Sequence, residues 1–238
     1  MWRAFLICYI EMRRVICYNQ ARQGHIIHQN GEVMIFVFDI DDTISETDKC
    51  SDKYIAKFLK DSGSVYKRVR DVARFTEMKF DWPEDVALKW YKTYGDQMAE
   101  QFNQKRNAVE ILTFLHNKGH KIVLATARST DWHTDPEGMT MRWLKAKKVP
   151  YDKIYLGRVD KEKICIDEHA DVFVDDDIEI CERVARDCKN TKVFLMNSDF
   201  NKTQYASLNL QRIDNLSMVL ALMKTNKLKM AEPKEREL

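Results

Sequence analysis

At 238 residues the chain can bury a full hydrophobic core and has room for about one and a half domains. Its 39 Lys+Arg against 37 Asp+Glu leave a net charge of +2, so no global field directs it to nucleic acid or to an acidic membrane surface. No apolar run approaches the roughly 18 residues that cross a bilayer, so no membrane partner is expected. The six cysteines (Cys8, Cys17, Cys50, Cys165, Cys181 and Cys188) show neither CxxC pairing nor the histidine spacing of a zinc site. Buried reduced thiols in a cytoplasmic protein are the expectation.

Residues 1–33 fit poorly with the rest of the chain. A short apolar patch broken by Glu11 and scattered arginines, with no small-residue cleavage site, argues against a secretory signal. The segment is expected to be an extension outside the fold: an amphipathic helix, a leader, or a stretch ahead of a start at Met34. His25-x-x-His28 lacks further ligands and reads as loop.

The stretch "MIFVFDIDDT", residues 34–43, is different in kind. Its run "IFVF" has no polar alternation, the mark of a strand buried on both faces in a parallel sheet. Asp39 then stands at the carboxyl end of that strand, where open α/β sheets place their ligands. Asp39 and Asp41 leave extended backbone on the same side, and Asp42-Thr43 begin the departing turn.

Residues 44–106 change character. "DKYIAKFLKDSG" and "PEDVALKWYKTYGDQMAEQF" carry apolar residues at helical spacing, the second opened by Pro83 and acids in its first turn. Between them "SVYKRVRDVARFTEMKFDW" is rich in Arg, Lys and aromatics. This predicts a helical insertion beside the acidic turn, suited to act as a lid. Tyr66, Phe75, Trp82, Trp90, Tyr91 and Tyr94 are candidate rings for stacking on a base, with Arg68, Arg70 or Arg74 near phosphate or sugar.

From residue 107 a β/α rhythm returns. "NAVEILTFLHNKG" predicts a helix ended by Gly119, "HKIVLATAR" a buried strand, and "DPEGMTMRWLKAKKV" a helix closed before Pro150. "DKIYLG" comes next as a strand, "KEKICIDEH" as a helix, and "ADVFVDDD" as a second buried strand ending in acids. "IEICERVARDC", "TKVFLMN" and "DNLSMVLALMKTN" complete the series as helix, strand and closing helix. The fold class is α/β, a three-layer Rossmann-like parallel sheet. The expected layout is a core of 34–43 and 107–226, a cap of 44–106 and a charged tail of 227–238.

If the strands ending in Asp39 and Asp175 are neighbours, Asp39, Asp41, Asp175 and Asp176 converge on one sheet edge. Four carboxylates on one spot need a hard divalent cation, and oxygen ligands with room for water and phosphate suit Mg2+. Thr126 ends a third strand, and its hydroxyl with the backbone N–H groups of Ala127 and Arg128 suits phosphate oxygens. Lys161 opens a helix 14 residues before Asp175, where a cation neutralises both phosphate and carboxylate.

"DIDDT", "LATAR", "KEKIC" and "VFVDD", in this order and spanning residues 35 to about 198, resemble the four motifs of the haloacid dehalogenase superfamily of phosphohydrolases. Within it the run "EILTFLHNKGHKIVLATAR", with "K-x-x-x-C" and "DVFVDDD" after it, most resembles the 5′(3′)-deoxyribonucleotidase-like branch. The insertion after the first motif matches the superfamily's cap. The resemblance implies that Asp39 attacks phosphorus to form an aspartyl-phosphate. Asp41 would be general acid and then general base, with its backbone carbonyl a metal ligand. Asp176 aligns with a directly ligating position, and Asp175 with one that is often glycine, a partner behind the metal ligands. Thr126 would hold phosphoryl oxygens and Lys161 stabilise their charge, with Lys163 its rival.

The chain departs from the pattern at Asp42, where glycine is usual; a turn cap is the expected use. Asp177 is expected to cap the next helix. Arg128 is read as either a substrate contact or a salt-bridge partner. The implied activity is Mg2+-dependent hydrolysis of a phosphate monoester, the substrate a nucleotide or similar small metabolite. "ARSTDWHTDPEGMTMRWLKAKKVP" also resembles the phosphatase part of phage end-healing enzymes, which makes a polynucleotide 3′-phosphatase the second reading. A catalytically idle binding protein on the same fold is the third.

Overall fold

The computed structural model describes residues 33–204, 206 and 210–230. The extension 1–32, with Cys8, Cys17, His25 and His28, and the tail 231–238 lie outside the described residues. Six strands form one parallel sheet: β1 (Ile35–Phe38), β4 (Lys121–Thr126), β5 (Lys153–Leu156), β6 (Val172–Asp175), β7 (Lys192–Met196) and β8 (Gln211–Ile213). Their order is β5-β4-β1-β6-β7-β8, every pair parallel.

Both faces of this sheet are covered, which is why its strands read as continuous apolar runs. Phe36, Phe38, Ile122, Leu124, Val172 and Val174 pack into one cluster, while Val37, Val123, Ala125 and Phe173 pack into another on the opposite face. The first face is covered by α3 (Ala108–Asn117), α4 (Pro136–Lys147) and α7 (Ser217–Met230); the second by α5 (Lys161–Asp167) and α6 (Ile178–Asp187). Each fully buried ring or branched side chain here contributes about 1.5–3 kcal/mol of transfer free energy. From β1 the chain steps to β4 and β5 on one side and returns to β6 on the other. The direction of winding therefore reverses between β1 and β6, the crevice where doubly wound sheets bind ligands.

The insertion is pinned at its root by β2 (Ser45–Glu46) paired antiparallel with β3 (Asn103–Gln104), and Lys105 N–H donates to the Ile44 carbonyl at 2.7 Å. It holds α1 (Thr47–Ser62), ended by Gly63 in the left-handed region at φ +65°, a short 3₁₀ turn (Thr76–Lys79) and α2 (Glu84–Gln101). These helices extend the sequence expectation by a turn at the start of α1. Helix α2 is docked on the core: Asp96 accepts from the backbone N–H of Thr134 at 3.2 Å and of Asp135 at 2.8 Å, and Arg142 donates to Glu100 at 2.7 Å. The Trp143 indole N–H donates to the Phe102 carbonyl at 2.9 Å. Trp90, Tyr94 and Met98 of α2 and Tyr54, Ile55 and Phe58 of α1 belong to the same apolar cluster as Phe36 and Phe38, so the insertion packs on the core.

Two elements differ from expectation at the carboxyl end. β8 is three residues, "QRI", too short and too polar for alternation to show. α7 runs to Met230, past residue 226, because "KLKM" consists of good helix formers.

Candidate active site

β1 and β6 lie side by side, with Phe38 opposite Val174 and the Asp39 N–H donating to the Val174 carbonyl at 3.0 Å. The acids at the end of each strand therefore emerge at one point. Asp39, Asp175 and Asp176 each place a carboxylate oxygen within 4.8 Å of the others. Lys161, the first residue of α5, is 6% exposed and reaches into the cluster: its Nζ donates to Asp39 Oδ1 at 2.6 Å and to Asp175 Oδ2 at 2.7 Å. Lys163 lies elsewhere, paired at 2.9 Å with Asp167 on the outer face, its side chain 69% exposed.

The three acids are not equivalent. Asp175 is saturated, one oxygen on Lys161 and the other accepting the Asp177 N–H at 2.9 Å. The Asp176 carboxylate has no hydrogen-bond donor among the described residues. Burial drives its pKa well above the usual carboxylate value, and Asp175, Asp42 and Asp39 push the same way. Burial also raises Asp39, to about 8, against the pull of Lys161 and with the push of Asp175 and Asp41. Hard oxygen donors, crowded like charges and an unpaired carboxylate fit a divalent cation such as Mg2+, which Asp39 and Asp176 would ligate directly.

Asp41 stands apart from that cluster because Arg128 holds it. The guanidinium Nε donates to Asp41 Oδ2 at 2.9 Å and Nη2 to Oδ1 at 2.7 Å. Arg128 is 4% exposed, lies 5.9 Å from the Phe102 ring and 5.8 Å from the Trp143 ring, and donates from Nη1 to the Thr140 hydroxyl at 3.3 Å. The Thr47 hydroxyl donates to Asp41 at 3.2 Å and the Thr126 hydroxyl at 3.4 Å. Burial pushes the Asp41 carboxyl up, but Arg128, with help from His133 and Thr47, brings it below the usual carboxylate value. Of the two readings of Arg128, this geometry is the salt bridge, and its partner is Asp41. Thr126 is fully buried, and Ala127 lies on the cavity wall.

The turn residues explain themselves. Asp42 has φ +52°, in the left-handed region that favours glycine, and Asp is among the few side chains that tolerate it. Its Oδ1 accepts the Thr47 N–H at 3.0 Å, so it closes the turn into α1. Asp177 caps α6, accepting from Glu179 and Ile180 N–H.

A cavity of about 1040 Å3 opens above these acids, walled by both core and insertion. From the insertion Arg74 reaches Asp177 and Glu179 at the start of α6. Two residues beside the acids carry no sequence signal. His133 is 8% exposed, with its Nδ1 3.1 Å from Asp96. Asn201 donates to the Asp176 carbonyl at 2.6 Å and the Met196 carbonyl at 2.8 Å, tying the ends of β6 and β7. Neither sits in a strand-end pattern that sequence reading could find. Cys165, Cys181 and Cys188 are buried free thiols, and Cys50 is a partly buried one. No helix among the described residues is long and apolar enough to cross a membrane.

No protein-family model matches the chain, and no curated protein matches it. Solved structures do. It is similar to a protein described as a β-phosphoglucomutase from Thermotoga maritima, with TM-score 0.59 at 13% identity over 81% of this chain and 99% of that one. A protein described as a phosphoglycolate phosphatase from Haemophilus somnus gives TM-score 0.55 at 14% identity over 80% and 98%. The magnesium-bound HAD-hydrolase YfnB from Bacillus subtilis gives TM-score 0.57 at 10% identity over 82% and 100%. The six-stranded parallel sheet and its helical layers thus share the fold of the haloacid dehalogenase-like hydrolases.

Proposed function

We propose that this protein is a Mg2+-dependent phosphatase of the haloacid dehalogenase type, acting on a phosphate monoester, by preference a nucleotide. The observation that carries the reading is Lys161 bridging Asp39 and Asp175, with the Asp176 carboxylate open beside them. A phosphoryl group drawn to that point meets one buried cation, one nucleophilic oxygen and backbone N–H donors from the turn after β4.

Asp39 attacks phosphorus as the P–O bond to the leaving alcohol breaks, and the alcohol takes its proton from Asp41. Water then attacks the aspartyl-phosphate, gives its proton back to Asp41, and frees phosphate and Asp39. Lys161 offsets charge on the phosphoryl oxygens, joined by the Thr126 hydroxyl and the Ala127 and Arg128 N–H groups. Bound Mg2+ would supply further neutralisation of that charge and keep Asp39 ionised. Arg128 sets the position and rotation of the Asp41 carboxyl, and the negative charge of a phosphoryl group bound beside it offsets the Arg128 pull so that Asp41 can carry the proton it gives. Buried free thiols suit the reducing cytoplasm.

Hydrolysis of p-nitrophenyl phosphate that requires Mg2+ and is lost in Asp39→Asn is the expected result. A variant that keeps a tenth of wild-type turnover removes Asp39 as nucleophile. A panel of mononucleotides against 3′-phosphorylated oligonucleotides decides substrate size: faster oligonucleotide turnover would replace the nucleotidase reading with a polynucleotide 3′-phosphatase.

A further inference from the structure

Two large rings on the cavity wall are more than a third exposed. Trp132 is 37% exposed and Phe75 46%, whereas Trp82, Trp90 and Trp143 are at most 8% exposed. Of the six insertion rings, Trp82, Trp90 and Tyr94 are buried in the core and only Phe75 is strongly bare against the cavity. Trp132 lies outside the insertion, in the turn after β4.

Each ring is held in place by contacts other than its own. The Trp132 and His133 N–H groups both donate to the Ser129 carbonyl, at 3.2 and 3.0 Å, and Lys92 donates to the Thr130 and His133 carbonyls from α2. Tyr91 backs the indole with ring centres 5.3 Å apart. The Arg74 guanidinium, bound to Asp177 and Glu179, lies 5.3 Å from the Phe75 ring centre, and the Phe75 carbonyl accepts the Met78 N–H at 3.0 Å. Trp132 therefore adjoins the His133 and Asp41 side of the acids, and Phe75 the Asp177 side.

A cavity of about 1040 Å3 is far larger than a phosphate requires and lies just above the range for small-molecule pockets, roughly 300–1,000 Å3. Rings more than a third exposed in such a cavity are suited to a flat partner, because stacking on an aromatic surface needs a π-face and little else. A sugar phosphate offers none.

We infer that Trp132 and Phe75 are the specificity pair of this site, taking the heteroaromatic base of a nucleoside monophosphate while the acids below hold its phosphate. This rests on the phosphatase reading and names its substrate class. Ring binding is remote from phosphorus, so it raises kcat/KM for nucleotides over esters that lack a base.

The test compares kcat/KM for adenosine and uridine 5′-monophosphates with that for ribose 5-phosphate, the same ester without a base. Wild type should prefer both nucleotides. Trp132→Ala and Phe75→Ala should each lower the nucleotide-to-ribose 5-phosphate ratio about tenfold, the scale of base stacking on one ring, and Trp132→Phe should restore most of it. A ratio within about twofold of wild type in either alanine variant overturns the pair and leaves the phosphatase reading standing. A wild-type enzyme without preference for the nucleotides overturns the pair and the nucleotide reading together. Thermal melting of each variant, expected within a few degrees of wild type, excludes a folding loss as the cause of a changed ratio.

Discussion

Arg128 grips Asp41 with two nitrogens, at 2.9 and 2.7 Å, while Thr140 and the Phe102 and Trp143 rings fix the guanidinium from behind. A planar fork sets both the position and the rotation of the carboxylate, which an ammonium cannot do. Arg128→Lys should therefore misplace the proton donor without touching the phosphate cradle. The expected result is about a hundredfold loss in kcat with KM little changed, the scale of an ångström-level misplacement. Steady-state kinetics on an alkyl phosphate such as ribose 5-phosphate, whose leaving alkoxide needs the proton, checks it, and a lysine variant with wild-type kcat would remove the positioning role.

Asp175 and Asp176 should separate in a metal titration. Asp175 is saturated by Lys161 and the Asp177 N–H, whereas Asp176 has no donor among the described residues. Asp176→Asn should raise the Mg2+ concentration at half-maximal activity by at least about tenfold. Asp175→Asn should act on kcat more than on Mg2+ demand, because it loosens Lys161. Equal Mg2+ curves for the wild type and Asp176→Asn would exclude Asp176 as a ligand.

What sequence could show here was whatever lies at strand ends. Asp39, Thr126 and Asp175 each close a buried apolar run, so one rule located all three, and parallel pairing of β1 with β6 brought the acids together. Lys161 was legible because it opens a helix at the right distance before Asp175. Arg128 was visible but its partner was not, since 87 positions separate it from Asp41 and nothing local marks the pair. The docking of α2 was hidden for the same reason: Asp96 looks like any exposed helix acid until it meets the backbone of 134–135. Trp132 is unmarked in the sequence because a single ring in an irregular turn belongs to no helical or strand periodicity.

Trp90 and Trp143 are both fully buried but differ in one bond. The Trp143 indole N–H donates to the Phe102 carbonyl at 2.9 Å, whereas that of Trp90 has no partner among the described residues. Both Phe replacements remove the same volume and keep a ring against the neighbours, Arg128 for Trp143 and Trp82 for Trp90, so the main difference between them is the hydrogen bond and the carbonyl left without it. Trp143→Phe should cost about 1 kcal/mol more than Trp90→Phe in urea unfolding. Equal costs would mean that water or rearrangement satisfies the Phe102 carbonyl.

Glu168 lies outside the site, its side chain 5% exposed at the far end of the sheet, where Lys121 donates at 2.6 Å, Lys153 at 2.5 Å, and Tyr155 closes the ring of donors. Burial pushes its carboxyl up, but the hydrogen bonds from Lys121, Lys153 and Tyr155 overcome this and hold it down, from 4.5 to about 2. A carboxylate with a depressed folded pKa stabilises the fold fully above its unfolded value. That contribution is lost as pH falls through the window from about 4.5 to about 2. The shift corresponds to about 3 kcal/mol, reduced to about 2 kcal/mol because Lys121 is 37% exposed and its share is screened. Glu168→Gln should thus cost about 2 kcal/mol at pH 7, and its gap from wild type should close as pH is lowered from 5 toward 2.5. Urea unfolding of both proteins at pH 7, 5 and 3 measures that gap. A gap that stays constant across the window would mean that Glu168 titrates at its ordinary value and that the lysines contribute packing alone.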